Sequence, residues 1–546
     1  MKFDSITTIT GIHDSDSIIA RILIGRGIPK EQHDSFLHPQ HPDRDGAYNS
    51  GIGQSVLKKI INRIKAAKQH KESVVIYADY DVDGITSAAI LWRTLNQQGL
   101  TVMPFIPQRS QGYGFSDSGL KSVLLNHKPS LIIAVDHGIN ESAHITKLKR
   151  KGIDVIVLDH HEQNDGEQLT DAYAVIHTTL LSAAGISYMV ATALSDESLS
   201  RDNLVLAGIA SLADVIPQRG LARALSYHAL RSVSHVNIPG LAALMAQAGL
   251  KQDKEAYTSY DIGYLIAPRI NAAGRLGDPL VALRLLCTTN PAKAREYAQA
   301  LELLNRKRQD ILKESLPIAY KLAEQQADRR FRCIASPLFD EGIIGLLAGR
   351  LMRDLQVPVL VGAERNGIIK GSARSIDGVN MIPLMQQSNS LLLSFGGHEK
   401  AGGFSLSKDN LDAFITSLDT AISALDKQVF EPIQHADVTL PLPNITTPFA
   451  IALESLEPYG EQNQKPLFMS HDVCIVDKQP VGRSGGGHLR VVLKDMREGT
   501  IVKGMYFSAP QAFMTMPTDK PVSIVYQVDC NRWKGAEAQI MIQSVY

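Results

Sequence analysis

Residues 74–84 read Val-Val-Ile-Tyr-Ala-Asp-Tyr-Asp-Val-Asp-Gly, an apolar run followed by three alternating aspartates, Asp79, Asp81 and Asp83. In an extended chain, alternate side chains share one side. Three like charges on one side repel one another unless a cation lies among them. Gly84 then permits a close turn into a helical pattern. The stretch predicts a cation site at the carboxyl end of a strand, where open α/β sheets bind ligands.

The same spacing, D-x-D-x-D-G, also opens the calcium loop of an EF-hand. That loop needs a glutamate at its twelfth position, which here is Ile90, and a helix in front of it rather than a strand. We therefore exclude an EF-hand. Taken alone, the segment is equally compatible with a solvated acidic turn that holds no metal.

Three later segments change that balance, because each is an apolar run that ends in aspartate. Residues 131–136 end at Asp136, residues 155–161 end in Asp159-His160-His161, and residues 205–214 end at Asp214. A single aspartate in such a place is more often a helix N-cap, but neighbouring parallel strands would bring several to one edge. Aspartate and imidazole without thiolate suit Mn²⁺ or Mg²⁺ better than structural zinc. Two such ions about 4 Å apart serve phosphodiester hydrolysis.

The rest of the chain has a clear order of elements. Strand-like and helical segments alternate from about residue 56 to 176, which predicts a parallel, helix-flanked sheet. A long helical pattern at 291–326 leads to a second α/β unit, and five short strands follow a proline-bearing linker. We predict an α/β protein with two α/β domains joined by a long helix, plus a C-terminal OB-like β-barrel. The expected divisions are 1–46 (N-terminal segment), 47–225 (parallel-sheet domain), 226–330 (helical connector), 331–430 (second α/β domain) and 431–546 (barrel).

Composition limits the possible classes of protein. The chain has 546 residues, 44% of them apolar, and 56 basic residues balance 56 acidic ones. Zero net charge excludes a globally basic nucleic-acid binder but not a local basic groove. The four cysteines form no C-x-x-C pair, which indicates a reducing compartment. We expect no signal peptide, no membrane-spanning helix, no membrane partner and a cytoplasmic location.

Four ordered motifs resemble those of the DHH phosphoesterase superfamily: DYDVDG at 79–84, AVDHGI at 134–139, LDHH at 158–161 and LADVIP at 212–217. The whole chain is similar to the branch of bacterial single-strand-specific 5′→3′ exonucleases. The segments that carry this wider resemblance are FLHP at 36–39, FIPQRSQGYG at 105–114, APRINAAGR at 267–275, KGSARSIDG at 370–378 and FGGHEKAGGFSL at 395–406.

The resemblance implies two metal ions, Mn²⁺ or Mg²⁺. Asp83, Asp136, His160 and Asp214 would hold one ion, and Asp81 with the bridging Asp136 the other. Asp79 would be a metal-site residue that acts directly or through water. Asp159 would orient His160, and His161 would contact the scissile phosphate. His137 follows Asp136 on a strand, so it should point the other way and be structural.

The resemblance also implies a set of residues that binds the 5′ end of the substrate. Arginine forks in glycine- and serine-rich turns suit phosphate recognition, whereas Arg350 and Arg353 on a helix are expected to be surface ion-pair partners. The expected substrate-binding residues are Arg109, Arg269, Asn271, Arg275, Lys370, Ser372, Arg374 and His398. In the barrel, the candidates for single-strand binding are Arg483, His488, Arg490, Lys494, Lys503 and Tyr506. The G-x-S-x-G match at 482–486 is expected to be a hairpin loop.

The implied function is metal-dependent 5′→3′ hydrolysis of single-stranded DNA in DNA repair and recombination, with single-strand-binding protein and a helicase as possible partners. One alternative is a DHH phosphodiesterase that acts on oligoribonucleotides or cyclic dinucleotides. The other is a non-catalytic, DHH-derived scaffold that binds single strands. Gln111, Phe339-Asp340 and Gln464 depart from the family pattern, and none of them is an expected metal ligand.

Overall fold

The structure is a computed structural model that describes residues 2–42, 51–164, 166–251, 254, 257–431, 433–482, 487–518, 520–532 and 535–546. The chain divides into two compact units. The larger comprises 43–214 and 228–432, and the smaller comprises 1–42, 215–227 and 433–546.

The strands, numbered in chain order, are β1 (Lys2–Thr8), β2 (Ser73–Ala78), β3 (Thr101–Phe105), β4 (Leu131–Val135), β5 (Asp154–Asp159), β6 (Ala174–His177), β7 (Arg332–Ser336), β8 (Val359–Arg365), β9 (Ile368–Arg374), β10 (Leu392–His398), β11 (Ala401–Ser407), β12 (Ile433–Thr439), β13 (Phe468–Val481), β14 (His488–Asp495), β15 (Ile501–Tyr506), β16 (Pro521–Asn531) and β17 (Glu537–Val545).

The helices are α1 (Ser15–Gly25), α2 (His33–Leu37), α3 (Gln54–Gln69), α4 (Val82–Gln97), α5 (Asp117–His127), α6 (Ser142–Arg150), α7 (Ala183–Thr192), α8 (Glu197–Ala213), α9 (Gly220–Ser232), α10 (Pro239–Gln247), α11 (Ala267–Leu276), α12 (Leu280–Cys287), α13 (Pro291–Glu324), α14 (Ile344–Leu355), α15 (Met381–Gln386), α16 (Leu411–Ser423), α17 (Thr447–Ala452) and α18 (Gln511–Thr515).

The larger unit begins with the predicted parallel sheet, whose strand order is β3-β2-β4-β5-β6. Its central strands are buried on both faces, which explains why they are continuous apolar runs rather than alternating ones. Ala78, Val135 and Leu158 are register partners across β2, β4 and β5. The residues that follow them therefore meet at one edge of the sheet.

A second sheet in the same unit has the order β10-β11-β9-β8-β7, and only the β7–β8 pair is parallel. The long helix α13 precedes it, and the Asn290 side chain caps this helix by accepting hydrogen bonds from the N–H groups of Ala292 and Lys293. The predicted strands β7, β8 and β9 are confirmed. Strands β10 and β11 are not among the predicted strands, because glycines interrupt their apolar residues.

The smaller unit contains the predicted barrel. Strands β13, β14, β15, β17 and β16 follow one another in the sheet, and pairing of β13 with β16 closes it. Two parallel strands that were not predicted as such, β12 and β1, extend this sheet. Arg223 is almost fully buried within the unit and donates hydrogen bonds to the backbone carbonyls of Phe36, Leu456, Glu457 and Pro458.

Among the helices of the described residues, none is both long enough and apolar enough to cross a lipid bilayer.

Candidate metal centre

The turn from β2 into α4 positions the first group of carboxylates. Asp81 is the helix N-cap, and its Oδ1 accepts hydrogen bonds from the backbone N–H groups of Asp83 (2.9 Å) and Gly84 (3.2 Å). A Cβ atom on Gly84 would overlap the backbone oxygen of Asp79, so the close turn requires glycine. The helix already begins at Val82. The expected extended alternation of the three aspartates is therefore wrong, because a strand-to-helix turn arranges them instead.

Asp83 is held rigidly in the interior. Its side chain is fully buried, and its two carboxylate oxygens accept hydrogen bonds from the N–H groups of Ala183 (2.7 Å) and Ala184 (2.9 Å). These N–H groups belong to the first turn of α7, where the helix dipole favours an anion. The orientation of the carboxylate is thus fixed before any ligand binds.

The other carboxylates come from the edge of the parallel sheet and from one helix. Asp79, Asp136 and Asp159 occupy matching positions at the carboxyl ends of β2, β4 and β5. Asp214 is the C-cap of α8, so it reaches the cluster from the end of a helix and not from the end of a strand. The convergence of the four motifs is confirmed, but the fourth aspartate arrives by a different kind of element.

His160 lies at the centre of the cluster. Its Nε2 is 3.2 Å from Asp136 Oδ1, 3.4 Å from Asp214 Oδ2 and 3.6 Å from Asp83 Oδ2. Three groups of ligand atoms each lie within 4.8 Å of one another: Asp83, His160 and Asp214; Asp79, Asp81 and Asp136; and Asp136, His160 and His161. Asp136 groups with Asp79 and Asp81, and its Oδ1 also lies beside His160, so its carboxylate is between the two sides of the cluster, where a bridging ligand would be.

The electrostatics of the cluster favour a bound cation. Burial, followed by the charges of neighbouring carboxylates, raises the pKa of Asp79, Asp136 and Asp214 well above the usual range and that of Asp83 to about 7. Burial lowers the pKa of His160 to about 4, so its imidazole is neutral and can ligate a metal. Asp79 Oδ1 is buried with no hydrogen-bond partner among the described residues. These observations fit hard divalent cations with oxygen and imidazole ligands.

His161 is the histidine that Asp159 orients. Asp159 Oδ1 accepts a hydrogen bond from His161 Nδ1 at 2.8 Å, and its Oδ2 accepts one from the N–H of Ile139 at 2.9 Å. The expectation that Asp159 orients the His160 ring is therefore wrong, since it binds only the backbone N–H of His160. The ring of His398 stacks on His161 with 6.0 Å between centroids.

His137 lies behind the cluster, as expected. Its ring is buried among the aromatic rings of Tyr77 and Phe115, and its Nε2 lies 3.0 Å from the Tyr77 carbonyl oxygen, to which it donates. Burial lowers the pKa of His137 to about 4. It is therefore a neutral packing residue and not a ligand.

A group of arginines lies beside the cluster. Arg374 donates hydrogen bonds to Ser372 Oγ (2.9 Å) and to the carbonyl oxygen of Ala373, and no carboxylate forms an ion pair with it among the described residues. Burial lowers the pKa of Arg374. Burial, and then the charges of nearby arginines including Arg109 and Arg374, lowers the pKa of Arg275 to about 10. Uncompensated, partly buried guanidinium groups form a site for an anion.

The remaining predicted substrate-binding residues have diverse surroundings. Arg109 is exposed and lies over the ring of Tyr80 at 5.2 Å. Arg269 forms a 2.7 Å ion pair with Glu302. Lys370 forms a 3.1 Å ion pair with Glu341. Asn271 Oδ1 accepts a hydrogen bond from the N–H of Val82 at 3.0 Å. Arg269 and Asn271 thus have structural partners that account for their side chains, and their roles in binding stay predictions.

Three of the residues that depart from the family pattern have the following surroundings. The Gln111 side chain accepts a hydrogen bond from the N–H of Gln108 at 2.8 Å and completes a capping box, which glutamine can form as well as glutamate. Asp340 Oδ1 accepts a hydrogen bond from the N–H of Gly342 at 2.7 Å. Gln464 is exposed.

Two residues near the cluster were not singled out from the sequence. Tyr113 contacts both His161 and the backbone of Asp136. The aromatic residue in the GYG segment was the available signal. Arg308 of α13 forms hydrogen bonds with the Asn305 side chain and contributes to the positive potential around Arg275. Its position in a long, highly charged helix gave no signal.

In the barrel, the candidate residues are largely paired or buried. Arg490 binds Gln479, and Lys503 forms a 2.8 Å ion pair with Glu537. Tyr506 lies in the barrel core, so the expectation that it stacks on bases is wrong, whereas its neighbour Phe507 is exposed and contacts His488 edge-on at 5.4 Å. Lys494 is exposed. Arg483 and most of the 482–486 segment lie outside the described residues. On α14, Arg350 pairs with Asp354, as expected for a surface arginine.

Comparison with known proteins accounts for most of the chain. Three family models match in order: the DHH family N-terminal domain at 73–212, the DHHA1 domain at 332–424 and the RecJ OB domain at 436–544. The single-stranded-DNA-specific exonuclease RecJ of Bacillus subtilis (strain 168) is 28% identical over 556 residues, which cover 99% of this chain and 69% of the relative. The chain belongs to the RecJ family of DHH proteins.

Other members of the RecJ family have similar levels of identity. RecJ of Escherichia coli (strain K12) is 28% identical and aligns over 90% of each chain. Among solved structures, RecJ from Thermus thermophilus in complex with Mn²⁺ superposes with a TM-score of 0.80 at 24% identity, covering 99% of this chain and 79% of that one. A manganese-bound exonuclease RecJ superposes with a TM-score of 0.60 at 29% identity, covering 69% and 96%.

Proposed function

We propose that this protein is a metal-dependent exonuclease that hydrolyses single-stranded DNA from its 5′ end, in the 5′→3′ direction, and acts in DNA repair and recombination. The observation that carries the proposal is the cluster of carboxylates and imidazole at the carboxyl edge of the parallel sheet, in a chain of the RecJ family. The relatives that align over most of the chain are named single-stranded-DNA-specific exonucleases.

The cluster would hold two ions, Mn²⁺ or Mg²⁺. Asp83, His160 and Asp214 offer one set of ligand atoms, Asp79 and Asp81 offer a second, and Asp136 would bridge the two sets. Related RecJ structures contain Mn²⁺ or Mg²⁺. When bound, such ions lower the pKa of a coordinated water and stabilise the charge that develops in phosphodiester hydrolysis.

The residues of this chain would bind and orient the substrate. Asp159 holds the His161 ring by its Nδ1, so that His161 Nε2 can face the scissile phosphate. Arg374, Arg275 and Ser372 would bind the 5′ phosphate, because their donors lie near one another and form no ion pair with a carboxylate of the described residues. A fixed 5′ end limits cleavage to the terminal nucleotide. Arg109, Arg269, Asn271, Lys370 and His398 complete the proposed substrate-binding set.

Two further proposals rest on the family resemblance. The divisions at 47–225, 331–430 and 431–546 would serve as the catalytic, 5′-end-binding and strand-binding domains, with 1–46 and 226–330 as an N-terminal segment and a helical connector. Single-strand-binding protein and a helicase would be the partners, and the protein would act in the cytoplasm.

A titration with Mn²⁺ on 5′-labelled single-stranded and duplex DNA tests the proposal. We expect Mn²⁺-dependent release of labelled mononucleotides from single strands and little release from duplexes. Release from short RNA or cyclic dinucleotides, with none from DNA, would favour the oligonucleotide phosphodiesterase. Strand binding without release at any Mn²⁺ concentration would favour the scaffold.

A further inference from the structure

The hydroxyl group of Tyr113 connects two parts of the metal centre. It donates a hydrogen bond to the carbonyl oxygen of Asp136 at 2.7 Å. The Tyr113 hydroxyl oxygen also lies 3.1 Å from Nδ1 and 3.2 Å from Nε2 of His161. One hydroxyl group therefore contacts the backbone of the proposed bridging ligand and the ring of the proposed phosphate-binding histidine.

The backbone of Asp136 needs this support. Its φ angle is +64°, a left-handed conformation that residues other than glycine rarely adopt. Hydrogen bonds hold the Asp136 backbone on both sides. The Asp136 N–H donates to the Leu158 carbonyl oxygen at 3.1 Å, and the Asp136 carbonyl oxygen accepts from the Tyr113 hydroxyl. A change in this backbone angle would move the Asp136 carboxylate away from His160 Nε2, which is 3.2 Å from Oδ1.

The ring of His161 is confined by the same residue. Asp159 fixes its Nδ1 edge, His398 stacks on it, and the Tyr113 ring meets it edge-on with 5.5 Å between centroids. The Asp136 carbonyl oxygen can only accept, so the Tyr113 hydroxyl is the donor in their hydrogen bond.

We infer that Tyr113 is a positioning residue for hydrolysis, whose hydroxyl fixes the Asp136 turn and the His161 ring relative to each other. The inference rests on the proposed function. It does not require that Tyr113 contact metal or substrate. Tyr113 would act on the metal through Asp136 and on the substrate through His161, and it touches both residues.

The test compares Tyr113→Phe with Tyr257→Phe. Tyr257 is a matched control because its hydroxyl also donates to a backbone carbonyl, that of Lys251, at 2.7 Å, and it belongs to neither the ligand set nor the substrate-binding set. We expect Tyr113→Phe to lower kcat about tenfold with KM changed less than about twofold, and to weaken Mn²⁺ binding about threefold by calorimetry. Tyr257→Phe should stay within about twofold of the wild type in all three quantities.

Wild-type kcat and Mn²⁺ affinity in Tyr113→Phe would overturn the inference. A Tyr113→Leu variant separates the ring from the hydroxyl: if only Tyr113→Leu loses activity, packing of the ring is what matters and the inference is wrong. Because the Tyr113 side chain is 48% exposed, both variants should fold, which melting curves check. If the wild-type protein releases no nucleotides, the proposed function fails, and the Mn²⁺ affinities of the two phenylalanine variants still decide whether Tyr113 positions Asp136.

Discussion

Gly274 in α11 packs directly on the carbonyl oxygen of Tyr80, with no room between them for a Cβ atom. Tyr80 belongs to the turn that carries Asp79, Asp81 and Asp83. From the same helix, Asn271 accepts a hydrogen bond from the N–H of Val82. The APRINAAGR segment therefore supports the acidic turn from behind, and its small residues serve the geometry of the metal centre.

Replacement of Gly274 by alanine should displace this turn. The added methyl group has to move backbone atoms, and overpacking of this kind destabilises proteins by about 1–3 kcal/mol. We expect a lower melting temperature and at least about tenfold weaker Mn²⁺ binding. Gly263→Ala is the control, because a Cβ atom there has nothing within 4 Å. Equal behaviour of the two variants in calorimetry would contradict the supporting role of α11.

Replacement of Asp136 by alanine should remove both ions and abolish cleavage, because Asp136 groups with Asp79 and Asp81 on one side and its Oδ1 lies 3.2 Å from His160 Nε2 on the other. We expect calorimetry to detect no tight Mn²⁺ site and nucleotide release to fall at least about a thousandfold. The control is Asp409→Ala, at an exposed aspartate in the second sheet domain. Retention of one full-affinity ion by Asp136→Ala would show that Asp136 does not bridge.

Metal binding should release protons. In the metal-free protein, burial and Asp81 raise the pKa of Asp83 to about 7, so this carboxyl is protonated below that pH and must lose its proton to ligate a cation. The apparent affinity for Mn²⁺ should therefore fall as the pH drops from about 8 to about 6, with increasing proton release. Calorimetry in buffers of different ionisation enthalpy measures this release. A pH-independent affinity would contradict it.

Replacement of Arg374 by alanine should weaken substrate binding more than it slows cleavage. The partly buried guanidinium has no carboxylate partner in the described part of the chain, so a phosphate is its natural counter-ion. We expect KM for 5′-phosphorylated strands to rise about tenfold or more, and the preference over 5′-hydroxyl strands to disappear. Arg350→Ala, which removes a surface ion-pair partner, should change neither. An unchanged KM in Arg374→Ala would count against the phosphate site.

The sequence predicted the parallel sheet and the barrel because their strands are apolar runs of the right length, and it predicted the cluster because aspartates follow those runs. It failed where structure depends on distant pairing. Strand β1 pairs with the distant β12, and glycines interrupt the apolar residues of β10 and β11. The apolar run before Asp214 does not itself distinguish a buried helix from a strand. The sequence also could not show whether Asp159 binds the ring of His160 or that of His161, because the conformation of the turn decides this.

The pairing of β1 with β12 places Lys2 opposite Ile433, and the apolar side chains of α1 share a core with the barrel strands. During synthesis, β1 cannot pair with β12 until more than four hundred further residues have been made, because β12 begins at Ile433. Until then, Ile18, Ile22 and Leu23 lack the barrel side chains with which they share this core. Folding of the smaller unit is therefore a late event on the ribosome, and truncated chains should be prone to capture by chaperones or to aggregation.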